Sequence, residues 1–208
     1  MEEDNSNPIK EAFGKKRIVA LAGIKNSGKT NNLVYMIKQY RKHDTKTPIF
    51  AYGLEYGVMQ YLKKKLGVKE ISQLSHLVNK KGCILILDEF QRLKLNDRRY
   101  KDDLNEFIDF VYHNNVYVLL SSPNIREFNS VIGGVIERWL LKEVRIDQCV
   151  NGSQLKKAID SYQGRYKTLG SIAIDKDKIL VIDDEEDIII RCPYVPEADN
   201  KKSLKSIF

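Results

Sequence analysis

Apolar positions along this chain alternate between two patterns. Short unbroken runs such as Ile18–Ala22, Cys83–Leu87 and Val116–Leu120 are separated by longer stretches in which apolar residues recur three or four positions apart. An unbroken run suits a parallel strand buried on both faces, and the longer period suits a helix with one buried face. The pattern predicts a strand at about 17–22 and a helix from Lys29 to about Arg41, with Leu33, Ile37 and Tyr40 on its inner face. A strand follows at Thr47–Tyr52, then helices at about 56–66 and 70–79 separated by Gly67. Cys83–Leu87 reads as the next strand, Asp102–Asn114 as a helix with Leu104, Phe107, Ile108 and Val111 on one side, and Val116–Leu120 as another buried strand. Residues 125–136 read as helical, Trp139–Ile146 as a strand, and a helix capped by Ser153 runs to about Tyr162. The last part changes character: Ile172–Ile174, Ile179–Ile182 and Ile188–Arg191 are short strands between Asp-rich turns.

Strands alternating with helices predict an α/β fold, a doubly wound and mostly parallel sheet, with an antiparallel hairpin at its edge near the C-terminus. Residues 1–14 read as a flexible tail, 15–195 as a single domain and 196–208 as a second tail. There is no internal repeat and no low-complexity segment.

The first apolar strand leads directly into Gly23-Ile-Lys-Asn-Ser-Gly28-Lys29-Thr30. This is a complete G-x-x-x-x-G-K-T phosphate-binding loop in its required context of strand, loop and helix. Its glycines let backbone N–H groups close around phosphate oxygens, and the following helix points the positive end of its dipole at the same anion. The candidate nucleotide contacts are Gly23, Asn26, Ser27, Gly28, Lys29, Thr30 and Asn31. Lys29 would reach the β- and γ-phosphates of ATP, and the Thr30 hydroxyl would hold Mg²⁺.

A second apolar strand ends in Asp88-Glu89. A carboxylate at that position holds Mg²⁺, and the adjacent one orients or deprotonates the attacking water. The pair therefore predicts hydrolysis rather than binding alone. The next strand ends Ser121-Ser122-Pro123-Asn124, polar groups placed to sense the γ-phosphate; Ser122 is the leading candidate, with Ser121 and Asn124 as alternatives. Arg138, ahead of Arg126 and Arg145, is the candidate for neutralising transition-state charge in a neighbouring subunit.

Composition narrows the context. With 208 residues and 42% hydrophobic content the chain can bury a normal core, and its longest apolar runs are far too short to span a membrane. The acidic, polar N-terminus is unlike a secretory signal, so a cytoplasmic location, or a virion for a viral protein, is expected. Cys83, Cys149 and Cys192 are scattered and include no C-x-x-C, so neither a local zinc site nor a disulfide framework is indicated. The net charge of +7 and pI of about 9.1 favour a polyanionic partner.

These features together resemble the FtsK–HerA group of P-loop DNA translocases, and the chain is similar in size to compact viral genome-packaging ATPases. The resemblance rests on Gly23–Thr30, on Asp88-Glu89, on Tyr117–Pro123 followed by Arg138-Trp139, and on Leu169–Ile174 with Ile179–Ile182. Two places depart from the family pattern: Ser122 stands where a sensor Gln is usual, and Tyr52-Gly-Leu-Glu55-Tyr56 keeps a Glu-Tyr but lacks the usual preceding Asp. The resemblance implies a RecA-like ATPase that forms a hexameric or pentameric ring and pulls double-stranded DNA through its pore, with capsid or inner-membrane proteins as further partners. Arg98, Arg99 and Lys101, in a basic loop with Tyr100, are the candidate phosphate contacts, whereas Lys63–Lys65 and Lys80-Lys81 read as exposed helix ends. Three other functions use similar loops: a thymidine-kinase-like nucleoside kinase, matched by Asp88-Glu89-Phe90-Gln91 but lacking its cysteines, a helicase loader, and an assembly or secretion ATPase.

Overall fold

The computed structural model describes residues 7–93, 99, 101–122, 125–129, 131–144, 149, 154–166, 175–182 and 187–198. The strands are β1 (Ile18–Ala22), β2 (Ile49–Tyr52), β3 (Lys69–Glu70), β4 (Ile84–Asp88), β5 (Tyr117–Ser122), β6 (Arg138–Leu141), β7 (Lys178–Ile182) and β8 (Asp187–Arg191). The helices are α1 (Pro8–Phe13), α2 (Lys29–His43), α3 (Tyr56–Leu66), α4 (Lys101–His113) and α5 (Gln154–Tyr166). All eight strands form one sheet in the order β3-β2-β4-β5-β1-β6-β7-β8. The first six are parallel, and β7 and β8 are antiparallel to their neighbours. The doubly wound sheet with an antiparallel C-terminal edge is therefore present as the sequence predicts.

The central strands carry side chains buried on both faces. Val19, Leu21, Ile84, Ile86 and Leu119 pack under α1, α2 and α3, while Ala20, Leu85, Leu87, Val118 and Leu120 pack under α4 and α5. On the second face Phe128 links Phe90, 5.1 Å away, to Trp139, 5.6 Å away and edge-on. Such contacts add about 0.5–1.5 kcal/mol each to the area they bury. Leu33, Ile37 and Tyr40 are buried along α2, as their spacing predicts, and Gly67 ends α3 with φ +64°.

Three expectations are corrected. Residues 7–14 of the expected N-terminal tail fold: Asn7 caps α1 through Lys10 N at 3.2 Å, Pro8 opens it, and Ile9, Ala12 and Phe13 are buried, with Phe13 edge-on to Tyr117 at 5.2 Å. Asn followed by Pro is a helix-start signature legible in the sequence. Residues 70–79 form no α-helix; they hold the end of β3 and a 3₁₀ turn, Leu74–Leu77. Residues 125–136 form two 3₁₀ turns, Ile125–Asn129 and Val131–Val135, because Gly133-Gly134 weakens any longer helix. Part of the predicted Trp139–Ile146 strand, the Ser153 cap and the whole Ile172–Ile174 strand lie outside the described residues.

Candidate functional site

β5 lies between β1 and β4, so the ends of the phosphate-loop strand and the Asp88 strand are held one strand apart. The connections that follow β1, β2, β4, β5 and β6 all leave from one edge of the sheet, because these strands are parallel. A cleft of about 800 Å³ opens there, lined by Asn26, Gly28, Lys29, Thr30, Asn31, Gly53, Glu55, Asp88, Glu89 and Arg92 among others.

The loop itself depends on left-handed backbone. Gly28 sits at φ +91° as the N-cap of α2, and Asn26, a residue that tolerates this region, is at +64°. Lys29 folds back over the loop, donating to Gly23 O at 2.8 Å and Ile24 O at 2.7 Å. Burial pulls its pKa down to about 8, opposed by the charge of Asp88. Gly53 has φ +79°, and a Cβ there would stand 2.0 Å from Asp88 O, so only glycine lets the loop after β2 pass over the end of β4.

Asp88 pairs in register with Ser121 and accepts a hydrogen bond from its hydroxyl. Burial pushes the Asp88 carboxyl up, and the Ser121 hydrogen bond opposes this. Ile84, Ile86 and Asp88 alternate onto the α2 face of the sheet, as do Leu119 and Ser121. Ser122 is fully buried, and the strand alternation turns it to the opposite face. The polar group beside Asp88 is therefore Ser121, one of the three residues expected as candidates for the sensor. Asn124 lies outside the described residues.

Glu89 follows at φ +52°, a conformation costing a non-glycine residue about 1–3 kcal/mol and concentrated at functional sites. Its carboxylate forms an ion pair with Arg92, one turn on. Sequence reasoning misses Arg92, whose only signal is a cation three residues after Glu89 at a strand end.

Arg138 does not face the nucleotide. It begins β6, opposite Val19, at the other edge of the sheet. It is 3% exposed and donates to Glu11 O at 3.0 Å, holding α1 to the sheet. A charge delivered to a neighbouring subunit must reach the surface, so the expected finger role is corrected. Arg126 is exposed on the turn just past the nucleotide end of β5; Arg145 lies outside the described residues. Arg99 and Lys101 are exposed beside the start of α4, and Arg98 lies outside the described residues.

The other wall of the loop contains a second residue that sequence reasoning misses. Lys142, directly after β6, is fully buried and donates to Asp175 O at 2.9 Å, Lys176 O at 3.0 Å and Lys178 O. The buried Asn32 amide lies 3.0 Å from Lys142 Nζ and 3.2 Å from both Gly28 O and Lys176 O, neighbours that call for its oxygen toward the lysine and its nitrogen toward the two carbonyls. This network fastens the turn before β7 to the phosphate loop. Asn31 does not aim at the loop's anion site; its amide holds the segment after β8 through Pro193 O at 3.2 Å and Val195 N at 2.6 Å.

Thr30 and Asp88 line the same cleft. A hydroxyl and a buried carboxylate are hard oxygen donors suited to Mg²⁺, and a cation beside Asp88 would offset the burial that disfavours its charge. The three cysteines form no disulfide, and among the described residues no helix is long and apolar enough to cross a membrane.

No protein-family model and no curated protein sequence matches the chain. Solved structures do. The DNA-packaging ATPase B204 of Sulfolobus turreted icosahedral virus superposes with a TM-score of 0.58 at 14% identity, over 86% of this chain and 98% of that one. The genome-packaging NTPase B204 of Sulfolobus turreted icosahedral virus 2, in complex with ATP-gammaS, gives 0.57 at 16% identity over the same shares. The cytoplasmic domain of EssC gives 0.55 at 13% identity, covering 85% of this chain and 38% of EssC. The chain thus has the fold of these P-loop ATPases, as its resemblance to the FtsK–HerA group implies.

Proposed function

We propose that this protein is an Mg²⁺-dependent ATP hydrolase that drives double-stranded DNA, packaging a viral genome as a ring of five or six identical subunits. The observation that carries the reading is the convergence of Lys29, Thr30, Asp88 and Glu89 on one cleft, with Ser121 bonded to Asp88 behind it, in the fold shared with the packaging NTPase B204. The triphosphate docks on the backbone N–H groups around Gly28 and on the N-terminus of α2. Lys29 exchanges its two loop carbonyls for β- and γ-phosphate oxygens. Thr30 and Asp88 would hold Mg²⁺, which supplies charge neutralisation on the phosphates. Ser121 fixes the Asp88 carboxylate, and Glu89, released from Arg92, orients and deprotonates the attacking water.

The net charge of +7 supports a polyanionic partner. Arg98, Arg99 and Lys101 would contact DNA phosphates without reading sequence, as a motor moving over any sequence requires. Arg126, exposed on the turn after β5, would reach a neighbouring subunit's nucleotide. Capsid or inner-membrane proteins would anchor the ring in host cytoplasm or virion.

The test is ATP turnover with and without double-stranded DNA, together with particle mass under both conditions. Stimulation by DNA and a five- or six-subunit mass are expected. Replacing Arg98 and Arg99 by Ala should lower the salt slope of DNA binding by about 0.9 for each phosphate that these arginines neutralise. Turnover indifferent to every nucleic acid would remove the DNA motor and leave the ATPase. Phosphate transfer to deoxynucleosides in the absence of DNA would establish the kinase instead.

A further inference from the structure

The phosphate loop occupies the middle of the nucleotide edge, and the cleft extends from it in two directions. Toward β4 lie Asp88, Glu89 and Arg92; toward β7 and β8 lie Lys176, Asp177, Tyr194 and Ala198. A triphosphate on the loop must turn its γ-phosphate toward Asp88 and Glu89, where hydrolysis would take place. Its ribose and base then run the other way, over the wall beside β7 and β8.

That wall is built rather than incidental. β7 is antiparallel to β6 and β8 is antiparallel to β7, so the chain leaves β8 at the nucleotide edge. The side chain of Asn31, adjacent to Thr30, receives it there. Asn31 Nδ2 donates to Cys192 O at 3.5 Å and Pro193 O at 3.2 Å, and Asn31 Oδ1 accepts from Val195 N at 2.6 Å. The first turn of α2, which receives the phosphates, thereby also fixes residues 192–195. Cys192 and Val195 are buried, yet Tyr194 between them is 65% exposed and faces the cleft. The backbone on both sides of this ring is held by Asn31, so its point of attachment is already in place when a flat ligand lands on it.

We propose that Tyr194 is the stacking platform for the purine base of the bound nucleotide, and that Asn31 is the positioning residue that holds it there. The proposal rests on the nucleotide-binding reading above. It assigns Asn31 a part in nucleotide recognition without phosphate contact, and it gives the segment after β8 a purpose beyond closing the sheet.

The experiment measures, by calorimetry with Mg²⁺ present, the dissociation constants of ATP and of inorganic tripolyphosphate for the full chain and for Tyr194→Ala, Tyr194→Phe and Asn31→Ala. Tyr194→Ala should weaken ATP roughly tenfold, within the range of base–aromatic stacking, while Tyr194→Phe keeps the original affinity. Tripolyphosphate, which has no base, should shift by less than about twofold in Tyr194→Ala. Asn31→Ala should weaken ATP more than tripolyphosphate. ATP affinity unchanged in Tyr194→Ala, or ATP and tripolyphosphate weakened alike, would overturn the platform. Equal losses for both ligands in Asn31→Ala would overturn the positioning role. An unaltered chain that binds tripolyphosphate as tightly as ATP would overturn the platform and leave the phosphate site standing. A chain that binds neither would overturn both readings.

Discussion

The two walls of the phosphate loop each hold a lysine that burial pulls down to about 8, and the two lysines do different things. Lys29 bonds only to carbonyls of its own loop, and the opposite charge acting on it is Asp88. Lys142 bonds to three carbonyls of a distant turn and to Asn32, with no exposure to solvent. The surroundings of the ammonium, rather than its pKa, decide its role. Where its partners are two carbonyls at the rim of an open cleft, arriving phosphates can replace them. Where its partners are buried and belong to another segment, replacing them would separate two elements of the fold. The neighbours differ in the same way: beside Asp88, Glu89 pairs by charge with Arg92, whereas directly after β6 Lys142 is buried among carbonyls with Asn32.

The largest expected effect tests whether the β4 wall is the chemical one. Glu89→Gln should reduce ATP turnover about 10²–10⁴-fold while ATP still binds, as read by ADP release and equilibrium binding. Undiminished turnover would move the chemistry elsewhere. Next, Lys142→Met should lower the unfolding free energy by about 3 kcal/mol, because buried carbonyls and Asn32 lose their donor. For a domain of this size that is a fall of roughly 6–12 °C in melting temperature. Lys29→Met should cost at most about 1 kcal/mol in a denaturation experiment but should strongly weaken ATP binding. If the two substitutions exchanged these outcomes, the division of labour between the walls would be wrong.

The pH behaviour sharpens the contrast further. A lysine that titrates near 10.5 unfolded and near 8 folded binds more protons in the unfolded state between those values. Its contribution to stability therefore rises with pH across that window, and Lys142→Met should flatten that rise in chemical denaturation. Lys29 should behave differently, since phosphates would raise its pKa: ATP binding at about pH 8.5 should take up about three-quarters of a proton at most, and at neutral pH almost none. Calorimetry in buffers of different ionisation enthalpy reads this directly. The smallest effect belongs to Arg92. An exposed ion pair is worth up to about 1 kcal/mol, so Arg92→Ala should raise basal turnover by about fivefold at most. A fall in turnover would instead make Arg92 part of the catalytic apparatus.

The parts of the site legible in sequence are those made by consecutive residues. Gly23–Thr30 and Asp88-Glu89 each carry their chemistry within one strand end, and the apolar runs before them announce the strands. The α1 helix is also legible, through Asn7-Pro8, although its apolar positions are too few to show a period. Lys142 is hidden because a lysine after an apolar strand ordinarily marks the return to solvent; only the packing of the distant turn Asp175–Lys178 over it makes it internal. Ser121 and Ser122 are chemically identical neighbours, and only the register with Asp88 separates them. Arg138 reads as a surface charge at a strand start, because the helix that covers it, α1, lies far back in the chain, with its contact at Glu11 127 residues earlier.

The sequence alone determined the phosphate loop, the acidic pair, the central strands β1, β2, β4 and β5 and the antiparallel end. All of these depend on local spacing and on runs of apolar residues, which short-range physics converts into strand, turn or helix. Tertiary structure alone decided which serine meets Asp88, that Arg138 is structural, that Lys142 fastens the loop, and that Asn31 presents Tyr194 to the same cleft. Each of these is a pairing between residues far apart in the chain, and such pairings exist only once the sheet order has brought β4, β5, β1 and the β6–β8 edge side by side.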